Sequence, residues 1–112
     1  LIYVRNKPKD YGTAKSIEGK TFSGMQVVMT DDIATTGTSV INGIKQLKAE
    51  GLSISDVCVV INRLEGADKA LNSVGVTLHQ LTDILEITEI LFQEKLVSED
   101  ILEKIKNQVN QN

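Results

Sequence analysis

Asp31 and Asp32 stand side by side at the end of an apolar run, and Thr35, Thr36, Gly37, Thr38 and Ser39 follow within seven positions. Carboxylates only accept hydrogen bonds, so the pair suits neutral hydroxyls or a developing positive charge and repels an anion. The hydroxyl-rich turn has the opposite character. Where such a turn runs into a helix, free backbone N–H groups and the helix dipole favour an anion, and a glycine lets the backbone approach it closely. One stretch can therefore hold both ends of a ribose 5-phosphate, its 2- and 3-hydroxyls on the aspartates and its phosphate on the turn. A plainer reading is an N-cap followed by solvated loop residues. The complete order, a buried strand, "DD", two residues, "TTGTS" and a helix, favours the ligand site. No lysine follows the glycine, so the turn is not a Walker P-loop.

The elements that position these residues alternate. "LIYV" ends like a strand, and the polar stretch "RNKPKDYGTAKSIEGKTFSG" holds the only proline and three glycines, the composition of a long mobile loop. "MQVVMTD", Met25 to Asp31, is predicted as a short buried strand. Val40, Ile41, Ile44 and Leu47 recur at helical spacing from Thr38, and Gly51 stops that helix. "SDVCVVINR" is continuously apolar from Val57 to Ile61, as expected in a parallel sheet covered on both faces, which makes Cys58 inert core. A short helix from about Asp68 to Ser73, a strand "VTLHQL" and an amphipathic "DILEITEILFQEK" follow. His79 on that strand is expected to pack or to hydrogen-bond. Ser98 caps a last helix, with Glu99 and Asp100 in its first turn. Strand and helix in alternation predict an α/β fold, a parallel β-sheet flanked by helices.

Composition narrows the function classes. The 112 residues make about one domain, 41% apolar and 24% charged, with a net charge of -3. That balance gives no reason to expect nucleic acid or an anionic membrane as partner. Residues 1–20 nevertheless carry five basic side chains (Arg5, Lys7, Lys9, Lys15, Lys20) against Asp10 and Glu18. The single cysteine excludes an internal disulfide and suits a reducing compartment. No run approaches transmembrane length and no signal-peptide pattern opens the chain, so a cytoplasmic location is expected. The chain begins at Leu1 without methionine, as expected of a piece of a longer polypeptide.

"VVMTDDIATTGTS" resembles the phosphoribosyl-diphosphate motif of type I phosphoribosyltransferases, which names a reaction class. "YVRNKPKDYGTAKSIEG" is similar to the flexible catalytic loop of the orotate phosphoribosyltransferase family. "INRLEGADKAL" and "GVTLHQLTDILEI" resemble that family's following region, in the form seen in eukaryotic bifunctional UMP synthase. The resemblance covers nearly the whole chain. It implies the type I phosphoribosyltransferase fold, with residues 1–112 as the C-terminal portion of the domain, its N-terminal part missing, and residues 5–20 as the catalytic loop.

The implied reaction transfers the 5-phosphoribosyl group from phosphoribosyl diphosphate to orotate, giving orotidine 5'-monophosphate and pyrophosphate. The implied cofactor is Mg2+, held mainly by the diphosphate with no direct protein ligand. On this resemblance Lys9, Asp31 and Asp32 are catalytic. Arg5, Lys9, Tyr11, Asp31, Asp32, Ile33, Ala34, Thr35, Thr36, Gly37, Thr38 and Ser39 bind phosphoribosyl diphosphate, and Thr35 and Arg63 bind orotate. A mobile basic loop closing over a leaving group that gains charge would also exclude water. A guanidinium suits the planar edge of orotate, although Arg63 can also pair with Glu65 on the surface. The implied assembly is a homodimer that shares the catalytic loop across its interface. Two positions depart from the pattern: Asn6 stands where lysine is usual, and Asn62, before Arg63, where aspartate is usual. Other readings of the same residues are a purine or uracil phosphoribosyltransferase and a non-catalytic phosphoribosyl-diphosphate-binding regulator.

Overall fold

Apolar residues at helical spacing and two apolar strands in succession leave the chain one economical solution, a parallel sheet with helices packed on it. The computed structural model describes residues 1–4 and 17–111. In chain order these form β1 (Tyr3–Val4), β2 (Ile17–Glu18), β3 (Gln26–Ala34), α1 (Thr38–Ala49), β4 (Ser53–Asn62), α2 (Ala67–Asn72), β5 (Thr77–Asp83), α3 (Ile84–Gln93) and α4 (Glu99–Asn110). The strands β3, β4 and β5 lie in that order, parallel throughout. The short β1 and β2 pair antiparallel, Val4 opposite Ile17.

The core lies between this sheet and the helices α1 and α2. Val40, Ile44 and Leu47 of α1, Leu71 of α2, and Ile54, Val57 and Val59 of β4 form one buried cluster. Ile54 and Val57 are three residues apart, yet both face inward. The register explains this: Val27 pairs with Ile54 and Val28 with Asp56, so Ser55 is left unpaired in a bulge that resets the alternation. Gly43 lets α1 settle against β3, because a Cβ there would stand 2.6 Å from the Met29 methyl. The turn after α1 uses Gly51 at φ 79°.

The sheet differs from the sequence expectation on its other face. Val28 is 60% exposed, Val60 48% and Leu81 81%, and Cys58 is exposed beside them. Cys58 is therefore not core. The apolar run in β4 does suit two-sided burial, but among the described residues α1 and α2 pack on one face only. His79, also on the open face, bonds to Asp56 through Nε2 at 2.8 Å. Among the described residues strand β3 is likewise paired on one edge alone, and an open groove of about 640 Å³ runs beside it between β1 and α1. The expected long loop is interrupted by β2, and residues 5–16 lie outside the described residues. Among the described residues no helix is long and apolar enough to cross a membrane.

The two faces predict opposite responses to truncation. Leu71→Ala removes a fully buried side chain and should destabilise by ~2–5 kcal/mol. Leu81→Ala, on the open face, should leave the thermal melt of the 112-residue chain within about 0.5 kcal/mol of wild type. Equal losses in both variants would contradict this packing.

Candidate functional site

Strand β3 does not stop at the aspartates. It continues to Ala34, because it stays paired with β4 as far as Ala34 opposite Asn62. Asp31 and Asp32 thus occupy the last pleats at the carboxyl end of the sheet, both exposed, which is where parallel α/β sheets take ligands. Each carboxylate leans forward onto the next backbone group. Asp31 Oδ1 accepts from Asp32 N–H at 2.8 Å, and Asp32 Oδ1 accepts from Ile33 N–H at 2.8 Å. A carboxylate has two oxygens, so a single backbone bond does not exhaust its capacity to accept from hydroxyl donors. Partial burial, with the Asp32 carboxylate adjacent, holds the Asp31 pKa above its ordinary value.

Thr35, Thr36 and Gly37 form the bend between β3 and α1. Gly37 is the N-cap residue at φ 86°, ψ 0°, and no side chain caps the helix. Across this bend the hydroxyls of Thr36 and Thr38 bond to each other at 3.0 Å. By contrast, α3 is capped by Asp83, which accepts from Glu86 N–H at 2.9 Å, and α4 by Ser98, which accepts from Ile101 N–H. The short α2 also starts uncapped, at Gly66, but it carries Asp68 in its first turn; α3 and α4 carry first-turn acids too, and α1 carries none. The N-terminus of α1 is thus left with its positive end uncompensated, the condition for binding an anion. Gly37 is required twice, by its left-handed φ and by Ala67 Cα, which a Cβ would approach to 3.3 Å. Asp31 and Ser39 both line the groove beside β3, so the carboxylate end and the anion end open onto one space.

Arg63 reaches this region through its backbone. Its N–H donates to Ala34 O at 2.9 Å, so the loop after β4 is tied to the residue just before Thr35. The guanidinium is about half exposed and meets Glu65 at 2.7 Å. The surface pair with Glu65 is therefore present, and the backbone of Arg63 is what lies beside the start of the bend. A half-exposed pair is worth little, ~0–1 kcal/mol, and an incoming carboxylate can compete with Glu65 for the guanidinium. Arg5, Lys9 and Tyr11 lie outside the described residues. In the sequence Asn62 is only a departure from a pattern; in the structure it is wholly buried and bonded on every side. The signal for it is an amide at a strand end, two residues before a backbone N–H whose bond it can accept.

Among the described residues no group of three or more histidines, cysteines or acids is placed to hold a metal ion.

A parallel sheet with paired carboxylates at one strand end, leading into an uncapped helix N-terminus, has the type I phosphoribosyltransferase fold. Comparison with known proteins narrows this. The chain is 37% identical over 106 residues to the orotate phosphoribosyltransferase of Cenarchaeum symbiosum, covering 95% of this chain and 53% of that protein. It superposes on the UMP synthase of Leishmania donovani with a TM-score of 0.85 at 23% identity, over 100% of this chain and 24% of that one. A Mycobacterium tuberculosis orotate phosphoribosyltransferase, solved in complex with 5-phospho-alpha-D-ribosyl 1-diphosphate, matches with a TM-score of 0.64 and 25% identity, over 74% and 46% of the two chains. No protein-family model matches the chain. In sequence the chain is similar to orotate phosphoribosyltransferases, and it spans about half the length of those curated relatives.

Two outcomes check this geometry. A folded pKa above the unfolded value means that ionising Asp31 opposes folding: the stability is full below about 3.8 and falls as pH rises through the folded value. Asp31→Asn should therefore melt higher than wild type at pH 7, and the gap should close as pH falls toward 3.8. A gap independent of pH would contradict the assignment. Gly37→Ala should lower stability by ~1–3 kcal/mol in thermal unfolding, from its left-handed φ alone.

Proposed function

We propose that the full-length protein transfers the 5-phosphoribosyl group from phosphoribosyl diphosphate to N1 of orotate, releasing pyrophosphate. The observation that carries this reading is the meeting of two kinds of recognition at one sheet end: adjacent carboxylates at Asp31 and Asp32, and an uncapped, acid-free helix start after Gly37, with Asp31 and Ser39 lining one groove. Few ligands present two neighbouring hydroxyls and a phosphate one ribose length apart. The relative solved with 5-phospho-alpha-D-ribosyl 1-diphosphate supports the same choice.

The roles follow from charge. Asp31 and Asp32 hold the 2- and 3-hydroxyls and stabilise the positive charge that grows on the ribose as the diphosphate leaves. Ile33 and Ala34 carry the strand into the bend, and Thr35, Thr36, Gly37, Thr38 and Ser39 receive the 5-phosphate. Thr35 and Arg63 face the orotate, Arg63 giving up Glu65 for the orotate carboxylate. Arg5, Lys9 and Tyr11 attend the diphosphate, with residues 5–20 closing over it and excluding water. Mg2+, bound mainly by the diphosphate, would neutralise the leaving group's charge. Residues 1–112 then form the C-terminal portion of a phosphoribosyltransferase domain, working in the cytoplasm as a homodimer that shares the loop.

The test is orotate-dependent pyrophosphate release by the full-length protein. Asp32→Asn and Lys9→Ala should each lower kcat on the order of 100-fold, the scale expected when one preorganised electrostatic contact to a transition state is lost. Wild-type turnover in both variants would reject the roles, and a preference for hypoxanthine or uracil over orotate would reject the substrate.

A further inference from the structure

Asn62 has no exposed surface, and each polar atom of its amide has a defined partner. Its Oδ1 accepts from the N–H of Leu64 at 2.9 Å. Its Nδ2 donates to Asp68 Oδ2 at 2.9 Å, in the first turn of α2, and to Gln80 Oε1 at 2.7 Å, on β5. Gln80 Nε2 passes the bond on to Asp83 Oδ2 at 3.0 Å, and Asp83 caps α3. The orientation of both amides is forced. A backbone N–H can only donate and a carboxylate only accepts, so oxygen must face Leu64 and nitrogen must face Asp68.

This network sits directly under Arg63. Leu64 has φ 58°, a left-handed conformation that is costly for a leucine, and the Asn62 bond to its N–H closes the turn that requires it. On the other side Arg63 N–H is held by Ala34 O. From these contacts we infer that Asn62 is a positioning residue, whose side-chain amide sets the turn that aims Arg63, and that an ionised aspartate facing Asp68 cannot take its place. The functional half of this rests on the reading of Arg63 as the orotate contact.

An aspartate at position 62 could still accept from Leu64 N–H, but it would put a second buried carboxylate against Asp68 and another acceptor against Gln80. The charged groups facing it are Asp68 from α2 and, through Gln80, Asp83 at the start of α3; the Arg63–Glu65 pair lies on the exposed side. Burial and the like charge would raise the pKa of the new carboxyl. The variant is then intact where the 62–68 pair shares a proton and loses the turn as pH rises through that raised value.

The experiment compares wild type, Asn62→Asp and the double variant Asn62→Asp with Asp68→Asn in the full-length protein. Steady-state kinetics and amide exchange of Leu64 are measured on each at about pH 6 and about pH 8, since burial and like charge raise the new carboxyl above its ordinary value. Expected for Asn62→Asp at the higher pH is an orotate KM raised about tenfold, with kcat and the phosphoribosyl-diphosphate KM within about twofold, since Arg63 contributes binding rather than chemistry. The defect should shrink at the lower pH. The double variant should recover most of it, because the amide introduced at position 68 can donate to the new carboxylate. An unchanged orotate KM at the higher pH, or a defect that the second substitution leaves in place, overturns the proposal. If Asn62→Asp does not fold at the higher pH, the double variant carries the test by the same KM criterion. If wild type releases no orotate-dependent pyrophosphate, the functional reading fails by itself. Leu64 exchange then decides the positioning role: faster than wild type in Asn62→Asp and slowed again in the double variant upholds it, and equal protection in all three overturns it.

Discussion

The backbone bond from Arg63 N–H to Ala34 O, 2.9 Å long, is the last rung of the parallel pairing between β3 and β4. Because the two strands stay in register to their carboxyl ends, the loops that follow them leave the sheet side by side. The loop after β3 carries the hydroxyls and the helix start, and the loop after β4 carries the guanidinium. Neither loop has much apolar surface with which to fix itself. Their relative placement comes instead from the buried cluster of Ile54, Val57, Val59, Ile44, Leu47 and Leu71, which holds strand and helix together some distance from the site. Gly37 against Ala67 adds a second tie, joining the bend before α1 to the start of α2.

Electrostatics divides the site rather than unifying it. Two carboxylates close to a helix start would repel a phosphate bound beside it, and each is engaged by its own next backbone N–H. Asp31 holds its place at the cost of a raised pKa, so part of the fold's stability is given up to keep a charged group where burial disfavours it. The helix start shows the converse. Position 37, at φ 86°, has no room for a capping side chain of the kind that Asp83 and Ser98 supply from extended backbone to α3 and α4, so the N–H groups of α1 are left for an anion.

Much of this was legible in sequence because it is local. The capping of α4 by Ser98, the glycine stop after α1 and the order of strands and helices all depend on residues within a few positions of one another. The placing of Asp31, Asp32 and the bend at one sheet end followed from strand-then-helix order. What was not legible depends on partners distant in sequence. Cys58 and Val60 have the composition of core, and only the position of the helices shows that their face is open. The extension of β3 past Asp31 depends on its register with β4. Asn62 reads as a disturbance beside Arg63 until Asp68 and Gln80, six and eighteen residues away, are seen bonded to it.

The central claim is that the start of α1, with the bend before it, is a phosphate site adjoining a hydroxyl site on Asp31 and Asp32. Titration of ribose 5-phosphate into the 15N-labelled full-length protein, followed by amide chemical shifts, tests it most directly. Saturable shifts should be largest at Gly37, Thr38 and Ser39, with a second set at Asp32 and Ile33 that inorganic phosphate alone does not produce. Saturable shifts confined to other segments, or the same pattern with phosphate as with ribose 5-phosphate, would contradict the account.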